Sequence, residues 1–177
     1  MPDLVVEAVA SAVPRVSRPI VLIDGRSGAG KTTLAAALAT VLGAEVVHLD
    51  DIYPGWDGLE QASEHVRLHL LGSRTPRWRR WDWSRSQPGA WQAVPSGTPL
   101  VVEGSGVLSR ANRALATFAV WVELDDAERR RRALERDAES YAPHWDRWAA
   151  QEAAFVEREH PAELADVVVR SAPWSLA

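Results

Sequence analysis

The chain has 177 residues, 46% of them hydrophobic and 25% charged, enough for one domain with a genuine core. Its 20 basic and 24 acidic residues leave a net charge of −4, so no global field draws in nucleic acid or an anionic membrane. There is no cysteine, which excludes disulfides, thiolate metal sites and cysteine nucleophiles.

At the N-terminus, MPDLVVEAVASAVPR lacks a basic n-region and is interrupted by Asp3 and Glu7, unlike a secretory signal. Residues 3–12 read instead as a short amphipathic helix with Leu4, Val5, Ala8, Val9 and Ala12 on one side. No apolar run reaches the ~20 residues of a membrane span, so no membrane association is expected and the cytoplasm is the expected location. PIVLID (19–24) is a short β-branched run ending at a glycine turn, the pattern of a buried parallel strand. TLAAALATVL (33–42) is apolar nearly all round, which predicts a helix covered on most sides, and AEVVHL (44–49) predicts a second strand. In LEQASEHVRLHLL (59–71), Leu59, Ala62, Val66 and Leu70 recur at helical spacing. Residues 72–98, rich in Pro, Gly, Trp and Arg, read as irregular. PLVVEG (99–104) and FAVWVEL (118–124) are further strands, 125–141 is a helix with an acidic start, Pro143 opens another through Val156, and ADVVVR (165–170) is the last strand. Strands alternating with helices imply an α/β fold: a five-stranded parallel sheet covered on both faces, in one domain spanning 1–177.

GRSGAGKT (25–32) matches G-x-x-x-x-G-K-[ST] in the setting the motif requires, after a strand and opening a helix. Lys31 is the only lysine among the 20 basic residues. Each residue type has a physical task. Gly25, Gly28 and Gly30 let the backbone bring N–H groups close to phosphate oxygens, and the helix N-terminus adds its positive dipole end. The Lys31 ammonium fits between β- and γ-phosphates, a slot unsuited to a planar guanidinium. Thr32 offers a hydroxyl to Mg²⁺. The nucleotide-binding set is therefore Gly25, Ser27, Gly28, Ala29, Gly30, Lys31, Thr32 and Thr33, with ATP and Mg²⁺ as the implied cofactors. No second lysine exists to build an N-K-x-D guanine motif, which argues against a GTPase.

From about residue 19 to 137 the motifs resemble the uridine kinase-like branch of P-loop kinases. Those kinases carry D-x-F-Y after the second strand; here it is DDIY, with Asp50 and Tyr53 at the matching ends. Their Y-D-F segment corresponds to WDWSR, Trp81, Asp82 and Trp83 followed by Arg85. Their third strand ends in E-G, here Glu103-Gly104, and their lid carries R-x-x-R-D, nearest here in Arg132, Arg136 and Asp137. The resemblance implies a three-layer α/β/α P-loop fold with an acceptor insert at about 72–98 and a helical lid at about 125–145. It implies transfer of the ATP γ-phosphate to a hydroxyl of a nucleoside-like acceptor. Asp50 would be the general base, with Lys31, Arg132 and Arg136 also catalytic. Asp50, Tyr53, Trp81, Asp82, Trp83 and Arg85 would hold the acceptor, and Thr32 and Glu103 would hold the metal. The chain departs from the family after the lid, where AESYAPHWDRWAAQE replaces an R-G segment, and its acceptor aromatics are tryptophans.

The residues also support other readings. LDDIYPG doubles as a turn, in which Asp50 is a cap, and Asp51 suits a magnesium-bound water or a cap. An isolated Glu103 at the end of an apolar strand needs a cation or a donor. Ala127, Leu134, Ala138 and Tyr141 form an apolar stripe, while Arg129, Arg132 and Arg136 share another face and could close over phosphates. RTPRWRRWDWSR (74–85) suits a planar or anionic acceptor, with Arg79, Arg80 and Arg85 available to a phosphorylated one; single-stranded nucleic acid is the rival, opposed by the acidic balance. His65 and His69 stand at the spacing of a metal pair without an evident third ligand, Trp145, Trp148 and Phe155 read as core, and Trp174, in the tail where related kinases contact adenine, either stacks there or caps the sheet. Another metabolite, an antibiotic or a nucleotide as acceptor, a regulatory or RNA-associated nucleotide-binding module, and a homodimer all stay open.

Overall fold

The computed structural model describes residues 2–170 and 175–176; the side chains of 2–3, 136–140 and 175–176 are outside the description. Three expectations lie outside it as well: Trp174, the side chains of Arg136 and Asp137, and that of Ala138 in the expected apolar stripe.

Helix α1 (Pro2–Ala12) leads into strand β1 (Ile20–Asp24), the phosphate-loop segment and helix α2 (Lys31–Leu42). Strand β2 (Glu45–His48) is followed by helix α3 (Leu59–His65), continued as a wider π-turn over Val66–Leu71. Strands β3 (Arg77–Asp82) and β4 (Gln87–Ala93) come next, then β5 (Leu100–Glu103), the short helix α4 (Arg110–Arg113) and β6 (Phe118–Glu123). The chain ends with α5 (Asp126–Tyr141), α6 (Trp145–Glu159), α7 (Pro161–Leu164), β7 (Val167–Arg170) and the two-residue β8 (Ser175–Leu176).

The main sheet has the order β2-β5-β1-β6-β7-β8. The first five strands are parallel, as expected, and β8 adds an antiparallel edge that the sequence did not indicate. The period-2 alternation of strand side chains divides the core into two layers. Val21 and Ile23 of β1 pack with Val101, Val120 and Val122 against Val5 and Val9 of α1 and Leu34 and Leu38 of α2. Leu22 faces the opposite layer, with Val47, Val102, Leu59, Val66 and Leu70, and with Trp145, Trp148 and Phe155 of α6. After β1 the chain crosses to β2 on one side, and after β5 it crosses to β6 on the other, so a crevice opens at the carboxyl ends of β1 and β5.

Four local expectations change. Segment 72–98 is not irregular: β3 and β4 form an antiparallel hairpin with a register shift between Arg79 and Trp81. β3 (RWRRWD) interleaves Arg and Trp and β4 (QPGAWQA) is mostly exposed, so neither strand buries a full apolar face, and Pro88 is tolerated because both strands of a two-stranded ribbon are edges. Helix α1 is rotated from its predicted stripe, burying Val5, Val6 and Val9, with Val13 buried just past its end, and leaving Leu4 67% exposed. Helix α2 is covered on one face only, by Leu34, Ala35, Leu38 and Ala39, while Val41 is exposed. Among the described side chains of α5 the buried positions are Arg129, Ala133 and Tyr141, with Ala127 exposed. Arg129 is buried because Asp126 Oδ1, 2.8 Å away, and Glu152, 3.7 Å away, neutralise it there. It therefore does not share the open face with Arg132.

Candidate active site

A cavity of about 530 Å³ opens at the carboxyl edge of the sheet, within the size range of small-molecule sites. One end is the phosphate-loop segment, where Ser27, Gly28, Gly30, Lys31, Thr32 and Thr33 line the wall. Gly28 has φ +83, and a Cβ there would lie 2.0 Å from the Arg129 carbonyl oxygen, so only glycine fits beneath α5. Gly25 and Ala29 do not line the cavity; they shape the turn from behind, Ala29 donating its N–H to Arg26 O at 3.1 Å. Lys31 Nζ lies 3.3 Å from both Arg26 O and Ser105 Oγ, held ready by the loop it belongs to.

The loop after β5 is tied to the same place by Asp24, the buried last residue of β1. Its carboxylate accepts N–H bonds from Gly25 (2.6 Å), Gly106 (3.1 Å) and Leu108 (2.7 Å). Burial pushes its pKa up to about 6, against the opposing pull of those N–H groups and of Lys31. Thr32 Oγ1 donates to Glu103 Oε1 at 3.0 Å, joining the two predicted metal-site residues. His48 Nδ1 lies 2.6 Å from the same oxygen, and this partner raises the His48 pKa above its ordinary value. Burial pushes the Glu103 carboxyl up, yet His48, Lys31 and Thr32 together hold it below the usual range, as an anion. Thr32 and Glu103 thus fit Mg²⁺, which takes one or two protein ligands and completes its shell with phosphate oxygens and water. Among the described residues no group of three His, Cys, Asp or Glu forms a metal cage. His65 and His69 instead surround Trp91, and His65 Nε2 accepts the Arg79 N–H at 3.0 Å.

The other end of the cavity is aromatic. Tyr53, Trp56, Trp83, Tyr141 and Trp148 line it, with Asp50 and Arg132 between the two ends. Trp56 is central: its ring lies 5.2 Å from Trp83, 5.4 Å from Tyr141 and 6.3 Å from Trp148. Tyr53 meets Trp148 edge-on at 4.6 Å and donates its hydroxyl to Ser105 O at 2.8 Å. Burial and the Asp50 charge raise its pKa well above the ordinary value, so it stays a phenol. Trp83 reaches in from the hairpin by donating its indole N–H to Asp50 O at 2.9 Å.

Of the predicted residues, Lys31, Thr32, Asp50, Tyr53, Trp83, Glu103 and Arg132 therefore meet in one cavity. Trp81, Asp82 and Arg85 do not line it. Asp82 Oδ1 accepts from Ser84 N–H, Ser84 Oγ and Arg85 N–H, an Asx turn that closes the hairpin. Arg79 donates to Gly89 O, and Arg80 lies 3.6 Å from Asp51. Trp56, Tyr141 and Trp148 were invisible as site residues because they sit in unrelated segments with no motif around them. Ser105 had a signal, standing directly after the Glu103-Gly104 pair.

Comparison with solved structures gives a TM-score of 0.66 and 21% identity to a structure described as a possible uridine kinase from Bacillus stearothermophilus, covering 94% of this chain and 96% of that one. The chain has the P-loop NTPase fold. A candidate fructose transport system kinase from Silicibacter sp. TM1040 shares this P-loop fold, with a TM-score of 0.53 and 21% identity over 93% of this chain and 92% of that one. In sequence, 107 residues are 34% identical to a tRNA dimethylallyltransferase from Halorhodospira halophila, covering 54% of the P-loop chain and 34% of that enzyme. The chain thus spans about a third of that relative's length. No protein-family model matches the chain.

Proposed function

We propose that the chain is an ATP-dependent small-molecule kinase that transfers the γ-phosphate to a hydroxyl of a nucleoside-like acceptor. The observation that carries this reading is a single cavity joining the Lys31–Thr32 phosphate end to an aromatic chamber, with Asp50 between them. The uridine kinase-like fold supports it.

In this reading the loop N–H groups and Lys31 bind the triphosphate, and Arg132, from the lid, neutralises charge that builds as the phosphoryl group moves. Thr32 and Glu103 would hold Mg²⁺, which supplies charge neutralisation on the phosphate oxygens. Asp50 takes the proton from the acceptor hydroxyl and aims that oxygen at the phosphate end. Trp56 and Trp83 supply aromatic surface against which a flat acceptor group packs. The engagement of Arg79 and Arg80 elsewhere favours an acceptor without a phosphate of its own. Screening an acceptor panel for ADP release tests the reading: release should be slow with ATP alone and rise with the right alcohol.

The relation to a tRNA dimethylallyltransferase favours a second reading, in which the same loop holds a diphosphate ester. Acceptor-dependent release of diphosphate instead of ADP would establish it.

A further inference from the structure

Glu152 of α6 belongs to no motif, yet it is one of the most engaged side chains in the molecule. It is 2% exposed. Its Oε1 accepts from the Ser27 backbone N–H and the Ser27 hydroxyl, both at 2.7 Å, from the Ser105 hydroxyl at 2.9 Å, and from the Trp148 indole N–H at 3.1 Å. Its Oε2 makes no hydrogen bond and faces Arg26 Nε at 3.5 Å and Arg129 Nη1 at 3.7 Å. Hydrogen-bond donors from the phosphate loop, the loop after β5 and the wall of the aromatic chamber thus converge on one carboxylate, with the Arg129 charge of α5 beside it.

Seating α6 on the sheet does not require this group. Trp145, Trp148 and Phe155 already supply the apolar stripe, and burying a carboxylate among them is costly unless its charge is compensated. The compensation is specific: Ser105 Oγ, which reaches Glu152, is the same atom that holds the Lys31 ammonium at 3.3 Å. Glu152 therefore stands one hydroxyl away from Lys31 and one peptide away from Gly28.

We propose that Glu152 is a positioning residue of the active site: acting through Ser27 and Ser105, it sets the shape of the phosphate loop and the place of Lys31. Through Trp148 it ties that loop to the acceptor chamber. This rests on the reading of residues 25–33 as the triphosphate site.

The test combines calorimetric titration with MgADP, steady-state kinetics with the acceptor, and thermal melts. Wild-type protein binds MgADP. Glu152→Ala melts cooperatively, binds MgADP about tenfold more weakly and loses kcat by a larger factor, about 100-fold, whereas Glu152→Gln, which keeps the acceptor oxygen, stays within about threefold of wild type in MgADP affinity. A carboxylate that served stability alone would lower the melting temperature and leave the MgADP affinity of the folded protein unchanged, and that result overturns the proposal. Should Glu152→Ala not fold, Trp148→Phe and Ser105→Ala each remove one arm of the network and weaken MgADP about threefold; unchanged affinity in both overturns the proposal. Wild-type protein that binds no MgADP overturns the phosphate-loop reading together with this one, whereas binding that is indifferent to residue 152 overturns this one alone.

Discussion

The two ends of the cavity are built on different principles. At the phosphate-loop end six residues from one short stretch, Ser27, Gly28 and Gly30–Thr33, supply the wall. At the aromatic end the wall is made of side chains, Trp56, Trp83, Tyr141 and Trp148, drawn from four segments spread over more than half of the chain. The first end is a local conformation with a lysine attached; the second exists only once the hairpin, α5 and α6 have been placed. Substitutions should therefore act through charge and geometry at one end, and through contact area at the other.

The largest effect is expected at the phosphate end. Lys31→Ala should reduce phosphoryl transfer by about 1,000-fold and abolish calorimetric MgATP binding, with a melting temperature close to wild type. Asp50→Asn separates the ends: MgATP binding stays intact while acceptor-dependent ADP release falls by about 100- to 1,000-fold. Full activity in that variant would assign the base elsewhere. At the acceptor end, Trp56→Ala should raise the acceptor KM about tenfold and leave MgATP affinity unchanged, since one stacking face is lost while the loop is untouched.

The smallest effect concerns the outer face of the acceptor side. Burial, His69 and Arg79 lower the His65 pKa to about 4, and its Nε2 must be unprotonated to accept the Arg79 N–H. A folded-state pKa below the ordinary 6.5 means the unfolded chain takes up the proton first. Stability from this group is therefore present above about pH 6.5 and lost as pH falls towards 4. Because burial raises the pKa of Asp24 to about 6, that carboxyl acts in the opposite sense over an overlapping range. The readout is accordingly a difference: His65→Gln should lose less melting temperature than wild type between pH 7 and 5.

Legibility followed the same division. Residues 19–33 predicted strand, turn and helix, because a short apolar β-branched run, glycine placement and the lysine all report on neighbours in the chain. The strands of the parallel sheet were readable for the same reason, whereas the pairing of Glu103 with Thr32 was implied by the family resemblance and is seen as a 3.0 Å hydrogen bond. The hairpin was not, because Arg77–Asp82 buries no apolar face from which a period could be read. Asp82 shows how a motif can match in sequence while its side chain turns to a local task, here the hairpin turn. The lid stripe went astray at Arg129, whose burial depends on Glu152, 23 positions away in sequence and on another helix.

By itself, then, the sequence determined the α/β alternation, the phosphate loop with its lone lysine, and the carboxylates at the strand ends, since each depends on spacing within a few residues. Tertiary structure alone decided which tryptophans face the cavity, which arginines are consumed by internal pairs, and that a glutamate of α6 reaches the loop. Those depend on where whole elements come to rest, and packing distances between distant segments leave no periodic trace along the chain.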